Sequence, residues 1–197
     1  KLILRLAFIG VEKTTSMNFK FLIVSVVMLS GFAGSAFAQC VDCIPQQEFS
    51  QEEIDKMKHK AVIITMNSGT FFIEFFPEEA PNTVHNFLEL VESGYYDGTL
   101  FHRIIPGFMI QGGDPNTKDP DSDRRLWGQG GPDHLMFEEF NTYQHDRGIV
   151  SMARSEHKDS AGSQFFIVHK DSPHLDGKYT VFGRLVPGLP NALNHVA

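Results

Sequence analysis

The chain reads as a mainly β fold, a sandwich or a closed barrel, on three observations. Seven short runs rich in β-branched and aromatic residues recur between residues 61 and 185, turn residues separate them, and only one long stretch of that region carries helical periodicity. With 197 residues and 18 Phe there is ample material for one core without a metal or disulfide staple.

Taken in order, residues 1–16 precede a start-like Met17 and are expected to be an upstream segment outside the translated protein. Residues 17–38 have the parts of a secretory signal peptide: a short basic start ending at Lys20, an apolar stretch from Phe21 to Phe32, and Ala36-Phe37-Ala38 as a cleavage pattern. Ser30, Gly31 and Gly34 interrupt a run already short for a span, so the expectation is cleavage near Gln39, export to the periplasm or the medium, and no stable membrane span afterwards. Residues 39–60 are expected to be a tether. Cys40 and Cys43 form a lone C-x-x-C with no strand-helix-strand unit around it, which favours a local disulfide over a redox centre. Ser50-Gln51-Glu52-Glu53 is a capping box that starts a short helix through about Lys58, its charged face solvated.

The domain proper is placed at 61–197. Runs 61–66 and 70–76, separated by Asn67-Ser68-Gly69, make a hairpin. Pro81 opens a helix in which Val84, Phe87, Leu88 and Val91 share a face, and Gly94 stands where it should stop. Further strands are expected at 100–105, 108–113, 148–154, 163–168 and 179–185, with a long polar loop between Asp114 and Asn141.

Charge narrows the partners. The net charge is −7, and removing residues 1–38, with four bases and one acid, leaves thirteen bases against twenty-three acids, a net of −10. Nucleic acid and anionic lipid are poor partners for such a surface. The sequence lacks G-x-S-x-G, H-E-x-x-H, the P-loop pattern and G-x-G-x-x-G, and its nine His are scattered, so no cofactor and no metal are expected.

The segment Phe101-His102-Arg103-Ile104-Ile105-Pro106-Gly107-Phe108-Met109-Ile110-Gln111-Gly112-Gly113-Asp114 stands out. An Arg inside a strand must face solvent or serve a site, and alternation puts Phe101, Arg103 and Ile105 on one face and Met109 with Gln111. One cation, one amide and apolar neighbours suit an uncharged, partly apolar ligand. These residues resemble the signature of the cyclophilin family of peptidyl-prolyl cis-trans isomerases. Three more blocks follow in order: Gly148 to Arg154, Ser160 to Ile167, and Leu175 to Gly183. The resemblance covers about residues 61–196 and implies an eight-stranded antiparallel barrel capped by two helices, its groove on the outer face.

It also implies roles. Arg103 would be the catalytic donor to the prolyl nitrogen. Phe108, Met109, Phe166 and Leu175 would grip the proline ring, with His174 and Tyr179 beside them. Gln111, Ala153 and Arg154 would meet the peptide backbone, and Gln164, on the strand face of Phe166, would also bind substrate. Period two makes Phe165 a core residue and Phe166 the site residue. The partners implied are proline-containing peptides and folding exported proteins.

Three departures limit the likeness. His174 and Tyr179 stand where many members have Trp and His, so only weak cyclosporin binding is expected. The loop from Leu126 to Glu138 matches loosely, and the chain ends near the start of the family's second helix, before a closing strand. Two other function classes stay open: a proline-directed binding module without turnover, and a structural β-domain of a larger secreted assembly.

Overall fold

The computed structural model describes residues 40–189 and 192–196, so the expected upstream segment 1–16 and leader 17–38 lie outside the described residues. Seven strands form: β1 (Ala61–Met66), β2 (Gly69–Phe75), β3 (Arg103–Ile105), β4 (Met109–Gly112), β5 (Ile149–Met152), β6 (Phe165–Val168) and β7 (Val181–Leu185). The helices are α1 (Gln51–Lys58), α2 (Pro81–Glu92) and α3 (Leu193–Val196). All neighbouring strands are antiparallel, in the order β1-β2-β7-β5-β6-β4-β3, a curled half-barrel. Of the eight strands the resemblance implies, the described residues supply seven, and β1 and β3 are the edges.

Alternation explains the first hairpin: Val62, Ile64 and Met66 of β1 and Phe71, Ile73 and Phe75 of β2 point inward. The turn itself is shorter than expected, because Gly69, at φ 137°, pairs with Met66 as the first residue of β2. A Cβ there would stand 2.8 Å from that of Ala192, so glycine is required twice over. Strands β5 and β6 are buried at every position, since they meet apolar groups on both faces. Val150, Met152, Phe165 and Ile167 join the main core, whereas Ile149, Phe166 and Val168 join a second cluster with Met109, Leu175 and Val181.

Helix α2 closes the core with the face the sequence predicts, and Gly94, at φ 72°, follows its end. Ala80 offers no side-chain cap at its start. The Glu139 carboxylate does so instead, accepting from the Asn82 and Thr83 backbone N–H groups at 3.0 and 2.7 Å, where the helix dipole favours an anion. Phe87 sits at the aromatic centre, with ring centroids 5.0 Å from Tyr96 and Phe182 and 5.4 Å from Phe165. Tyr96 is fully buried, and burial pushes its phenol well above the usual range, so it remains a donor to the Ser163 carbonyl at 2.9 Å.

Two expectations need correction. Phe101 precedes β3 and packs inward against Phe71 and Phe165, so it does not share the face of Arg103. The described part of the expected tether, residues 40–60, does not hang off the barrel: Ile54 and Met57 of α1 belong to the main core, and Ile44 and Phe49 pack against it. The capping box forms as expected, but the polar face of α1 also pairs Lys58 with Glu78. Cys40 and Cys43 are disulfide-bonded to each other, and Cys43 forms a parallel bridge to Leu135, with the Ile44 N–H donating to the Leu135 carbonyl at 2.9 Å.

Because this segment is docked, Cys40→Ser/Cys43→Ser should lower the thermal midpoint. Opening a four-residue loop costs about 2 kcal/mol by chain entropy, or roughly 4–8 °C for a domain of this size. Calorimetry of the variant beside the parent checks it, and an unchanged midpoint would show that the segment detaches independently of the barrel.

Candidate active site

The second cluster is the floor of a cleft on the outer face of the sheet. Register builds it: Arg103 of β3 lies opposite Gln111 of β4, Gln111 opposite Phe166 of β6, and Phe166 opposite Ser151 of β5. The Pro106-Gly107 turn closes the β3–β4 hairpin, with Gly107 at φ 74° donating its N–H to His169 Nδ1 at 2.9 Å. That turn delivers Phe108 to the rim.

A cleft of about 170 Å³ results, lined by Arg103, Phe108, Met109, Gln111, Ala153, Arg154, Phe166, Leu175 and Tyr179. Two residues expected with them stand outside it. Gln164 lines the adjoining cleft, and His174 is exposed, its ring 5.5 Å from that of Phe108. A polar chain runs along one wall: Arg103 Nη1 donates to Gln111 Oε1 at 3.4 Å, Gln111 Nε2 to Gln164 Oε1 at 2.9 Å, and Gln164 Nε2 to the Gly130 carbonyl at 2.8 Å. Arg154 is committed elsewhere. Its Nε donates to the Lys178 carbonyl at 3.0 Å, and its guanidinium lies 4.7 Å from the centre of Tyr179. Arg103 thus keeps donors to spare, while Arg154 acts as a wall.

A wider cleft of about 700 Å³ lies beside Phe76, Tyr143, Arg147 and Leu185, but its cations are engaged: Arg147 with the His169 carbonyl and Asn194, Arg184 with Glu74. Among the described residues no three His, Cys, Asp or Glu side chains are grouped as metal ligands.

Beneath Phe166 lies an arrangement that sequence reasoning missed. His145 Nδ1 stands 2.9 Å from Asp176 Oδ1, and its Nε2 3.1 Å from Ser151 Oγ. The order Asp, His, Ser is that of a hydrolase triad, yet Ser151 is 0% and His145 1% exposed, and the Ser151 hydroxyl donates to the Thr180 carbonyl at 2.9 Å. A nucleophile sealed from substrate cannot attack, so these groups are a support: the His145 ring stacks 6.0 Å from Phe166 and fixes it from below. Ser151 and Asp176 fall in the quoted sequence blocks, but nothing in one dimension places them around His145.

Burial depresses the pKa of His145 despite the opposing carboxylate of Asp176. It does the same to His102, the residue before Arg103. Both histidines therefore bind protons more readily unfolded than folded. Their stabilising contribution is complete above the unfolded value of about 6.5 and is lost as pH falls below it, by at most about 1.4 kcal/mol per pH unit for each group. Urea melts from pH 8 to 5 should show the decline, and His145→Gln should flatten it.

Comparison with known proteins follows the same residues. The family model for cyclophilin type peptidyl-prolyl cis-trans isomerase/CLD matches residues 61–194. The chain is 47% identical over 139 residues to peptidyl-prolyl cis-trans isomerase B of Bacillus subtilis, covering 66% of this chain and 90% of that one. It is 44% identical over 146 residues to a peptidyl-prolyl cis-trans isomerase-like 2 of Cryptococcus neoformans, covering 72% of this chain but only a quarter (25%) of that longer relative. Among solved structures, a Cryptosporidium parvum cyclophilin type peptidyl-prolyl cis-trans isomerase in the presence of the dipeptide Ala-Pro superposes with a TM-score of 0.60 at 39% identity, over 69% of this chain and 84% of that one. With the fold, the cleft and these matches in agreement, the chain belongs to the cyclophilin-type peptidyl-prolyl cis-trans isomerase family.

Proposed function

We propose that the chain accelerates cis-trans isomerisation of X-Pro bonds in exported proteins and so assists their folding in the periplasm or the medium. The observation that carries the reading is one guanidinium, Arg103, without a carboxylate partner among the described residues, at the edge of an apolar cleft formed by Phe108, Met109, Phe166 and Leu175. The dipeptide Ala-Pro in the Cryptosporidium parvum structure supports proline-containing peptides as substrates. The export step rests on the composition of residues 17–38 alone.

Rotation about an X-Pro bond must remove its partial double-bond character, a barrier of about 18–20 kcal/mol that makes the uncatalysed step take tens to hundreds of seconds. It needs no nucleophile. In the twisted state the prolyl nitrogen recovers a lone pair, and a fixed donor there stabilises that state more than the planar ground state. Arg103 is suited to this because its guanidinium cannot lose its proton and has donors beyond the one given to Gln111. The apolar cleft would grip the ring while the preceding carbonyl turns, Phe166 being held from below by His145. Gln111, steadied by Gln164, and the edge at Ala153 and Arg154 would receive the peptide backbone.

Arg103→Ala should leave the fold intact, since Arg103 is exposed, and should lower kcat/KM on an Ala-Pro peptide by about a hundredfold to a thousandfold, the loss expected for one transition-state donor. Near-parental turnover in a folded variant would overturn the mechanism. A pure binding module would show no turnover in the parent either.

Cyclosporin gives a second measure. His174 meets Phe108 with a smaller, more polar ring than an indole, so it covers less of a large apolar ligand. His174→Trp should tighten cyclosporin inhibition severalfold while changing peptide turnover little. An unmoved inhibition constant would mean that His174 lies beyond the ligand's reach.

A further inference from the structure

The loop after β4 builds a second cleft directly against Arg103. It measures about 570 Å³ and is lined by His102, Arg103, Gln111, Arg124, Trp127 and Gly128. Arg103 and Gln111 belong to both clefts, and none of the apolar ring-gripping residues lines this one. With Arg103 donating to the prolyl nitrogen, as proposed above, this cleft adjoins the amide side of the proline pocket, where the residue before the proline would pass.

The chemistry of this wall is cationic in a chain whose net charge is −7. Arg125 next door is neutralised by Asp123, which accepts from its Nε at 2.9 Å and its Nη2 at 2.6 Å. Arg124 is not. Its guanidinium stacks 5.2 Å from the centre of Trp127 and, like that of Arg103, pairs with no carboxylate among the described residues. The stack is held in place, because Trp127 Nε1 donates to Ser122 Oγ at 2.9 Å and Ser122 Oγ donates to the Asn116 carbonyl at 2.8 Å. Of the other acids in the same stretch, Asp114 is buried with both oxygens taken by the Asn116 and Gly128 N–H groups, Asp119 accepts from the Asp121 N–H, and none of Asp114, Asp119 or Asp121 lines the cleft. His102 lines the same cleft with its ring, whose two nitrogens are buried away from it.

We propose that this cleft is a specificity subsite for a carboxylate side chain, Asp or Glu, on the residue preceding the isomerised proline. The proposal rests on the neighbouring cleft being the proline pocket. Arg124 supplies the charge, Trp127 sets its position, and Arg103 faces the same carboxylate while its other donors serve the amide.

The test compares three peptides that differ only in the residue before proline: Glu, Gln and Lys. At low ionic strength the parent should turn over Glu-Pro faster than Gln-Pro by about two- to fivefold in kcat/KM, the size of a partly exposed ion pair, and Lys-Pro slower than both. Added salt should compress the series. Arg124→Gln should bring the Glu-to-Gln ratio near one, and Arg124→Glu should favour Lys-Pro. A parent ratio of one, or a ratio that survives both substitutions, overturns the subsite even though turnover persists. Absence of turnover on all three peptides would instead overturn the reading of the proline pocket.

Discussion

Phe165 and Phe166 are neighbours in sequence and point to opposite sides of β6, and the architecture is organised by what each must meet. Phe165 is fully buried among Phe87, Tyr96 and Phe101, so α2 and the inner faces of the sheet close over it. Phe166 is buried too, but under a thinner cover of Met109, Leu175, Val181 and Tyr179 on the outside of the sheet. An exposed apolar face on a strand would be a liability, and covering it completely would leave no room for a ligand. The cleft is the intermediate solution, apolar at its floor and polar at its rim. Because the strand period is two, a one-residue slip of β6 would exchange the two rings and destroy core and cleft together.

The polar groups around the cleft divide by depth, and desolvation explains the division. Arg103 is exposed on the short edge strand β3, where a guanidinium keeps its hydration and remains available. Deeper groups other than His102 have partners within the protein: His145 lies between Asp176 and Ser151, Ser151 donates to the Thr180 carbonyl, and Gln164 bonds Gln111 and the Gly130 carbonyl. Each of those contacts removes an option, since a saturated side chain has nothing left to offer a ligand, but it fixes the ring or amide that a ligand would touch. Rigidity below and availability above would suit the proposed task of favouring one twisted geometry of a bound amide.

Much of the fold was legible because it rests on periodicities. The alternation in β1 and β2, the i, i+3, i+4 face of α2 and the opposite facing of Phe165 and Phe166 are properties of local geometry, and the structure keeps all of them. Phe101 was misplaced because alternation was extended past the true start of β3, where the chain is not yet a strand. The docking of residues 40–60 was not legible because charged residues crowd that stretch, while Ile54 and Met57, three apart on α1, suffice to dock it. The cleft residues could be gathered from the resemblance, whereas the support under Phe166 could not. His145 meets Asp176 across 31 positions and Ser151 around a turn, and neither distance has a signature in one dimension.

The loop between β4 and β5 shows how an irregular segment can still be exact. Composition marked residues 114–141 as polar and unstructured, and no periodicity contradicts that. Yet Met136 is buried in the main core and pairs with Ala161, and the Asp114 carboxylate, inaccessible to solvent, gathers the Asn116 and Gly128 N–H groups around itself. A Cβ at Gly130 would stand 2.3 Å from the same carboxylate, so close approach of backbone, not flexibility, is why glycine is needed there. Burying an unsatisfied carboxylate would be costly; burying one that takes two backbone donors turns a loop into a fixed wall. That wall reaches the cleft twice, through the Gly130 carbonyl that holds Gln164 and through Trp127 beside Arg103. The segment with the least secondary structure therefore sets the shape of one whole side of the site.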